Sequence, residues 1–251
     1  MKLFASVVAF MGLVLNSGLA LAEPKTFKDC PTCPEMVVVP SGSFQMGGKG
    51  RYEKPRHQVE IKSSFAVGKF EITQAEWRAV MGENPSKFEG DLIPVEQVSW
   101  DDVQAYIEKL NIQTGQTYRL LTESEWEYAA RAGTTSQWLC GKKKDCVAEF
   151  GWYRGISDRK PHPVGQKRPN AFGLYDMIGN VREWVEDCYQ PNYEGLPADG
   201  TAKPVTGECQ KRAVRGGSWH YLQKDLRSAN RHAVFAIFKL NELGFRVARD
   251  L

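Results

Sequence analysis

Three stretches of this chain open as helices with the same device, and the second most clearly repeats its apolar residues with a helical period. Thr73-Gln-Ala-Glu76, Ser99-Trp-Asp-Asp102 and Thr122-Glu-Ser-Glu125 each set a hydroxyl three residues ahead of a carboxylate. Such a pair satisfies backbone donors reciprocally at a helix N-terminus. In the second stretch Val103, Ile107 and Leu110 fall on one face with Tyr106 beside them. The third runs ESEWEYAARAG and is expected to stop at Gly133 as a C-terminal cap. Glu123, Glu125 and Glu127 within it spread around the axis and read as cap and solvent-facing charge. Upstream, MVVVPSGSFQMGG (36–48) reads as strand, turn and strand, a predicted hairpin. Its glycines lack the G-K-[ST] order of a phosphate loop. Beyond Gly133 the periodicity gives way to Gly, Pro, Asn and aromatic residues, the pattern of long loops held by disulfides or ions.

The first residues bear on compartment. Lys2 precedes an apolar run from Leu3 to Leu15, and Ala20-Leu21-Ala22 supplies a small-x-small cleavage site. Residues 1–22 therefore read as a secretory signal peptide, giving a periplasmic or secreted protein. The run is shorter than the ~20 residues that span a bilayer, so no membrane anchor is expected. A lead-in with a C-x-x-C pair (23–35) precedes one domain (36–251), since no Pro/Ser-rich linker divides the remainder. A formal net charge of +3 points to no nucleic-acid partner.

Six cysteines in an exported chain imply disulfides, although 15 connectivities are open to them. Proximity favours Cys30 with Cys33, Cys140 with Cys146, and Cys188 with Cys209. For DCPTCP, redox and metal-binding readings stand beside the structural one, which Pro31 and Pro34 favour. Lys142, Lys143 and Lys144 read as a solvated loop tip.

Two segments concentrate candidate chemistry. In NAFGLYDMIGNVREW (170–184), Asp176 and Glu183 flank Gly179 and Asn180, so a turn could converge carboxylates and carbonyls on a hard cation such as calcium; a plain structural turn is the alternative. In RGGSWHYLQKDLRSANR (215–231), Gly216 and Gly217 permit a bend, and Arg227, Asn230 and Arg231 offer planar hydrogen-bonding groups beyond it. His57, His162, His220 and His232 show no zinc-ligand spacing, and Ser218 lacks the G-x-S-x-G elbow of a hydrolase.

Taken in order, EMVVVPSGSFQMGG, FEITQAEW, PVEQVSWDDVQAYIEKL, YRLLTESEWEYAARAG, NAFGLYDMIGNVREW, AVRGGSW, LRSANR and LGFRVAR resemble the formylglycine-generating enzyme, or sulfatase-modifying factor, family from Met36 to Arg249. The resemblance implies one irregular, loop-rich α+β domain of the C-type lectin-like type, expected as a monomer. It also implies a structural calcium held by the side chains of Asp176 and Glu183 and the carbonyls of Gly179 and Val181. The family's oxidases hold copper(I) between two cysteines after the Gly-Gly-Ser motif. Tyr221 and Leu226 stand at those positions here, and neither suits soft copper(I). No catalytic residue and no copper are therefore expected, and a genuine formylglycine-generating oxidase is the least favoured reading.

The favoured reading is a module binding a peptide, glycan or small molecule on a concave surface of Ser218, Trp219, His220, Tyr221, Leu222, Asp225, Arg227, Asn230, Arg231 and His232. The alternative is an enzyme performing copper-independent oxidation or maturation of an exported peptide or secondary metabolite, with Tyr221, His220 and Asp225 in acid/base roles. Val234, Phe235, Ile237 and Phe238 form either an apolar contact patch or core.

Overall fold

The computed structural model describes residues 24–251 except 143 and 206. The expected signal peptide lies outside these residues. In chain order the strands are β1 (Thr26–Phe27), β2 (Met36–Val39), β3 (Gly42–Met46), β4 (His57–Ile61), β5 (Phe65–Gly68), β6 (Tyr118–Leu120), β7 (Arg182–Cys188), β8 (Lys211–Arg215), β9 (Arg231–Phe235), β10 (Leu243–Phe245) and β11 (Val247–Asp250). The principal helices are α1 (Gln74–Met81), α2 (Trp100–Thr114) and α3 (Glu123–Arg131).

Each helix begins where its hydroxyl–carboxylate pair sits. Thr73, Ser99 and Thr122 accept from the third helical amide, and Glu76, Asp102 and Glu125 reach back to the cap amide. The end of α3 differs from expectation by one residue. Ala132, not Gly133, takes the left-handed cap (φ 43°) and donates to Tyr128 O, and Gly133 (φ 86°) follows it in the same region.

The strands form a five-stranded sheet (β1-β2-β5-β11-β6), a four-stranded sheet (β10-β7-β8-β9) and a two-stranded ribbon (β3-β4). β2 and β3 are thus both strands, but they do not form the predicted hairpin: β2 pairs with β1 and β5, whereas β3 pairs with β4. The burial patterns give the reason. Met36–Val39 is almost wholly buried, as an interior strand covered on both faces must be, while Gly42–Met46 alternates between half-buried and exposed until Met46. Pro40 and Ser41 pass the chain from one sheet to the other.

One cluster of the core gathers α1 and α2 against β10 and β11, with Trp77 stacked on Tyr106 at 5.2 Å and Phe245 edge-on to both. A second packs α3 through Trp126 and Ala129 against β2, β5 and β8. Together they fix the end of β8, from which the candidate site departs.

Candidate functional site

β8 ends at Gly216 and Gly217, whose φ values of 91° and 71° lie in the region glycine enters without steric cost. Space is tight as well: a Cβ on either would stand 3.3 Å from Trp126 or Leu226. The bend throws the chain across the loops before β7, which hold it at three points. Trp219 N donates to Asn180 O at 2.7 Å, Ser157 Oγ to Trp219 O at 2.9 Å, and Arg154 N to Tyr221 O at 2.9 Å. A segment with little regular structure is thereby pinned.

Beyond the bend, several expected residues come together. The Tyr221 and His232 rings lie 5.3 Å apart, Asn230 Nδ2 is 3.3 Å from His232 Nε2, and Arg227 Nη2 reaches Asn230 Oδ1 at 3.4 Å. Trp219 packs edge-on to Phe88 and His220. His220 and Leu222 are exposed, and Asp225 is half-buried with its carbonyl accepting from Asn230. Burial, reinforced by Arg182, lowers the pKa of His232. Four of the residues expected on this surface lie inside the protein: Trp219 and Asn230 are each only 7% exposed, and Ser218 and Arg231 less. Ser218 is fully buried, its Oγ accepting from His220 N. Arg231 is 3% exposed and grips Glu123 with two 2.6 Å bonds, so its donors serve the scaffold.

Arg182 and Glu242 belong to the same neighbourhood and were not singled out by sequence. Arg182 lies over the Tyr221 ring at 5.4 Å and pairs with Glu242 at 2.7 Å, while its Nε is buried without an acceptor. Arg182 sits inside the NVREW motif, but nothing local marks it as the residue that meets Tyr221. Of the apolar run in and after β9, Val234 packs into the core, whereas Phe235, Ile237 and Phe238 are exposed by 37%, 72% and 45%.

All six cysteines are in disulfides: Cys30–Cys33, Cys140–Cys146 and Cys188–Cys209. The chain accordingly has no obvious copper-binding cysteine pair. Leu226 is wholly buried among Leu139, Val147 and Ile178, with Tyr221 packed at the edge of that cluster.

The residues expected to hold calcium occupy a tight turn, with Asp176, Gly179 and Asn180 all at positive φ. Asp176 is 1% exposed; its Oδ2 accepts from Gly165 N at 2.8 Å, and its Oδ1 is buried without a partner. Glu71 adds a third buried carboxylate, accepting from Val181 N and Asn180 Nδ2. Burial and the neighbouring acids push Glu71 well above the usual carboxylate range, and burial carries Asp176 up to about 6. Glu183, however, is already engaged, by Arg246 through both oxygens and by Trp126 Nε1. The donors fit a cation in part: Asp176 has an oxygen to give, whereas Glu183 would have to share its own with a guanidinium. Among the described residues no group of three or more His, Cys, Asp or Glu is arranged to hold a metal ion.

The acidic face of α3 corrects an expectation. Glu123, Glu125 and Glu127 do not face solvent; their exposures are 1%, 9% and 0%. Glu123 pairs with Arg231 and Arg215, Glu127 with Arg215 and Arg131, and Glu125 with Arg119. Burial would raise Glu127, but Arg215 and Arg131 outweigh it and hold the carboxyl below its ordinary value. The arginines of RGGSW and SANR are thus tied to α3 beneath the bend.

A family model, the sulfatase-modifying factor enzyme 1-like domain, matches residues 22–251. Among curated proteins, the chaperone protein LppX of Paenibacillus barcinonensis is 30% identical over 82% of this chain and 86% of its own length. Other curated relatives are covered over 40–80% of their own length. The solved structure of PvdO from Pseudomonas aeruginosa superimposes with a TM-score of 0.85 at 35% identity, covering 91% of this chain and 99% of that one. Treponema denticola variable protein 1 gives 0.82 at 28% identity with the same coverage. With its match running through the last strand and its irregular α+β architecture shared by these structures, the chain belongs to the sulfatase-modifying factor enzyme 1-like family.

Proposed function

We propose that this chain is an exported ligand-binding member of the family, built on a C-type lectin-like fold and working without copper. The observation that carries the reading is the pair of residues at the positions where the family's oxidases use cysteines. Leu226 is sealed into an apolar cluster, and Tyr221 lies between Arg182 and His232, so this place offers a phenol, an imidazole and a guanidinium instead of two thiolates. Trp219, His220, Tyr221, Leu222, Asp225, Arg227, Asn230 and His232 make the contacts in this proposal. The buried Arg182 Nε is a donor for which a ligand acceptor would remove the cost of going unpaired, about 1–3 kcal/mol. The exposed Phe235, Ile237 and Phe238 extend the contact area.

Export to the periplasm or beyond is part of the proposal, supported by three disulfides, a feature of oxidising compartments. Structural calcium at Asp176, Gly179, Val181 and Glu183 is another part, supported by the unpartnered Asp176 Oδ1. The test is metal analysis of the protein purified from an oxidising compartment after exposure to both calcium and copper, followed by thermal-shift screening of peptides, glycans and small molecules. Copper below a tenth of the protein, with a ligand whose binding Tyr221→Ala weakens at least tenfold, is the expected result. Stoichiometric, tightly held copper or ligand oxidation would overturn it.

A further inference from the structure

We propose that a second cleft, at the loop joining β3 to β4, is a binding site for a small oxyanion, a carboxylate or a phosphate. The loop, the residues after α3 and the side chain of Arg227 enclose about 110 Å³. That is room for an anionic group of a few heavy atoms, well short of the roughly 300–1,000 Å³ that takes a whole drug-sized ligand. Trp219, Tyr221 and His232 do not line it, and Arg227 is the residue it shares with the ligand-binding reading above.

Four cations line this cleft, Lys49, Arg56, Arg131 and Arg227, and no carboxylate does. Two are held rigidly from behind. Glu127 and the carbonyls of Gly47 and Ser136 fix the Arg131 guanidinium. Glu53, itself 3% exposed and accepting from Gly50 N, pins Arg227 at 2.5 Å. The loop must run close for this: a Cβ on Gly48 would fall 2.3 Å from Glu53 Oε2. Lys49 and Arg56 are exposed and have no carboxylate within ion-pair distance among the described residues. Their charge adds to that of a buried cluster behind Arg131, where Arg131, Arg215 and Arg231 face only Glu123 and Glu127 in ion pairs. Glu127 and Glu53 already balance Arg131 and Arg227, so the uncompensated charge of this concave wall is that of Lys49 and Arg56, and such a wall concentrates anions. The hydroxyl-bearing Thr135 and Ser136 at its rim supply neutral polar groups.

The test is calorimetric titration of the exported protein with inorganic phosphate and, separately, with citrate, at low ionic strength. Lys49→Ala and Arg56→Ala are expected to weaken binding roughly tenfold each, the scale of one charge-assisted hydrogen bond. Both residues are exposed, so the melting temperature should not move, and Lys109→Ala on the exposed side of α2 should bind as the parent does. Stronger binding of phosphate assigns the site to a phosphoryl group, and stronger binding of citrate to a carboxylate. No binding of either anion at millimolar concentration, or equal losses in the Lys109 variant, overturns the proposal.

Discussion

Two buried ionic clusters hold this domain together, and they err in opposite directions. Beneath the Gly216–Gly217 bend, Arg131, Arg215 and Arg231 meet Glu123 and Glu127, with Asp187 alongside. Behind the 176–183 turn, Glu71, Asp176 and Glu183 share one guanidinium, Arg246. The first has a surplus of arginine and the second a surplus of carboxylate. The difference matters because the two charges have different escapes. A buried carboxylate can take up a proton or a metal ion, whereas an arginine keeps its charge at any pH a folded protein meets. The arginine-rich cluster must therefore be closed by geometry, while the acidic one has latitude to respond to what the solvent offers.

The largest effect should come from opening the first cluster. Glu127→Ala strands the buried Arg131 and leaves the buried Arg215 only its longer pairing with Glu123, and the loss of one partner from a buried pair costs about 3–5 kcal/mol. Urea unfolding at neutral pH measures it. A loss under about 1 kcal/mol would mean that water reaches these guanidinium groups and that the cluster is not closed.

The second cluster should answer to calcium. Saturating calcium, at a hundred times its dissociation constant, would stabilise the fold by about 2.7 kcal/mol. The gain should disappear in Asp176→Asn and persist in the Glu127 variant. Thermal unfolding with and without a chelator distinguishes the cases. An unchanged melting temperature would leave protons alone to neutralise Glu71 and Asp176, and the calcium proposal would fall.

How much of this could be read from the chain follows the same division between local and distant. The capping pairs at Thr73, Ser99 and Thr122 lie within one turn, and the bend at Gly216–Gly217 is a property of two adjacent residues, so both are legible. Apart from the i,i+4 pair of Arg131 with Glu127, the ionic clusters join residues 63 to 108 positions apart, as in Arg246 with Glu183 and Arg231 with Glu123, and no spacing along α3 announces such partners. Glu123 and Glu127 therefore looked like solvent-facing charge. The hairpin expected at 36–48 failed for a related reason: adjacency suggests that β2 and β3 pair, but both edges of β2 are taken by β1 and by the later strand β5. At the candidate site the motif residues are visible in sequence, whereas Arg182 and Glu242 gain meaning only when β7 and the chain before β10 bring them to Tyr221.

The finest distinction rests on Asp187, which decides how far the arginine surplus is real. Its Oδ2 accepts from Glu123 N at 2.6 Å, at the start of α3, and its Oδ1 is buried without a partner. Burial, and then Glu123, push its pKa up to about 7. An acid raised in this way makes no difference below about pH 4, where folded and unfolded chains both hold the proton. Between there and about 7 the folded state binds more protons, so stability falls as pH rises, and above that the full penalty applies. Asp187→Asn keeps an acceptor for the Glu123 amide and removes the charge. It should match the parent near pH 4 and exceed it at pH 8 by up to about 4 kcal/mol, about 1.4 kcal/mol accompanying each tenfold change in proton affinity. Chemical unfolding across that range measures the difference. A variant less stable than the parent at pH 8 would show Asp187 ionised and paired in effect with the arginines, making the cluster neutral and leaving the acidic turn as the only unbalanced one of the two.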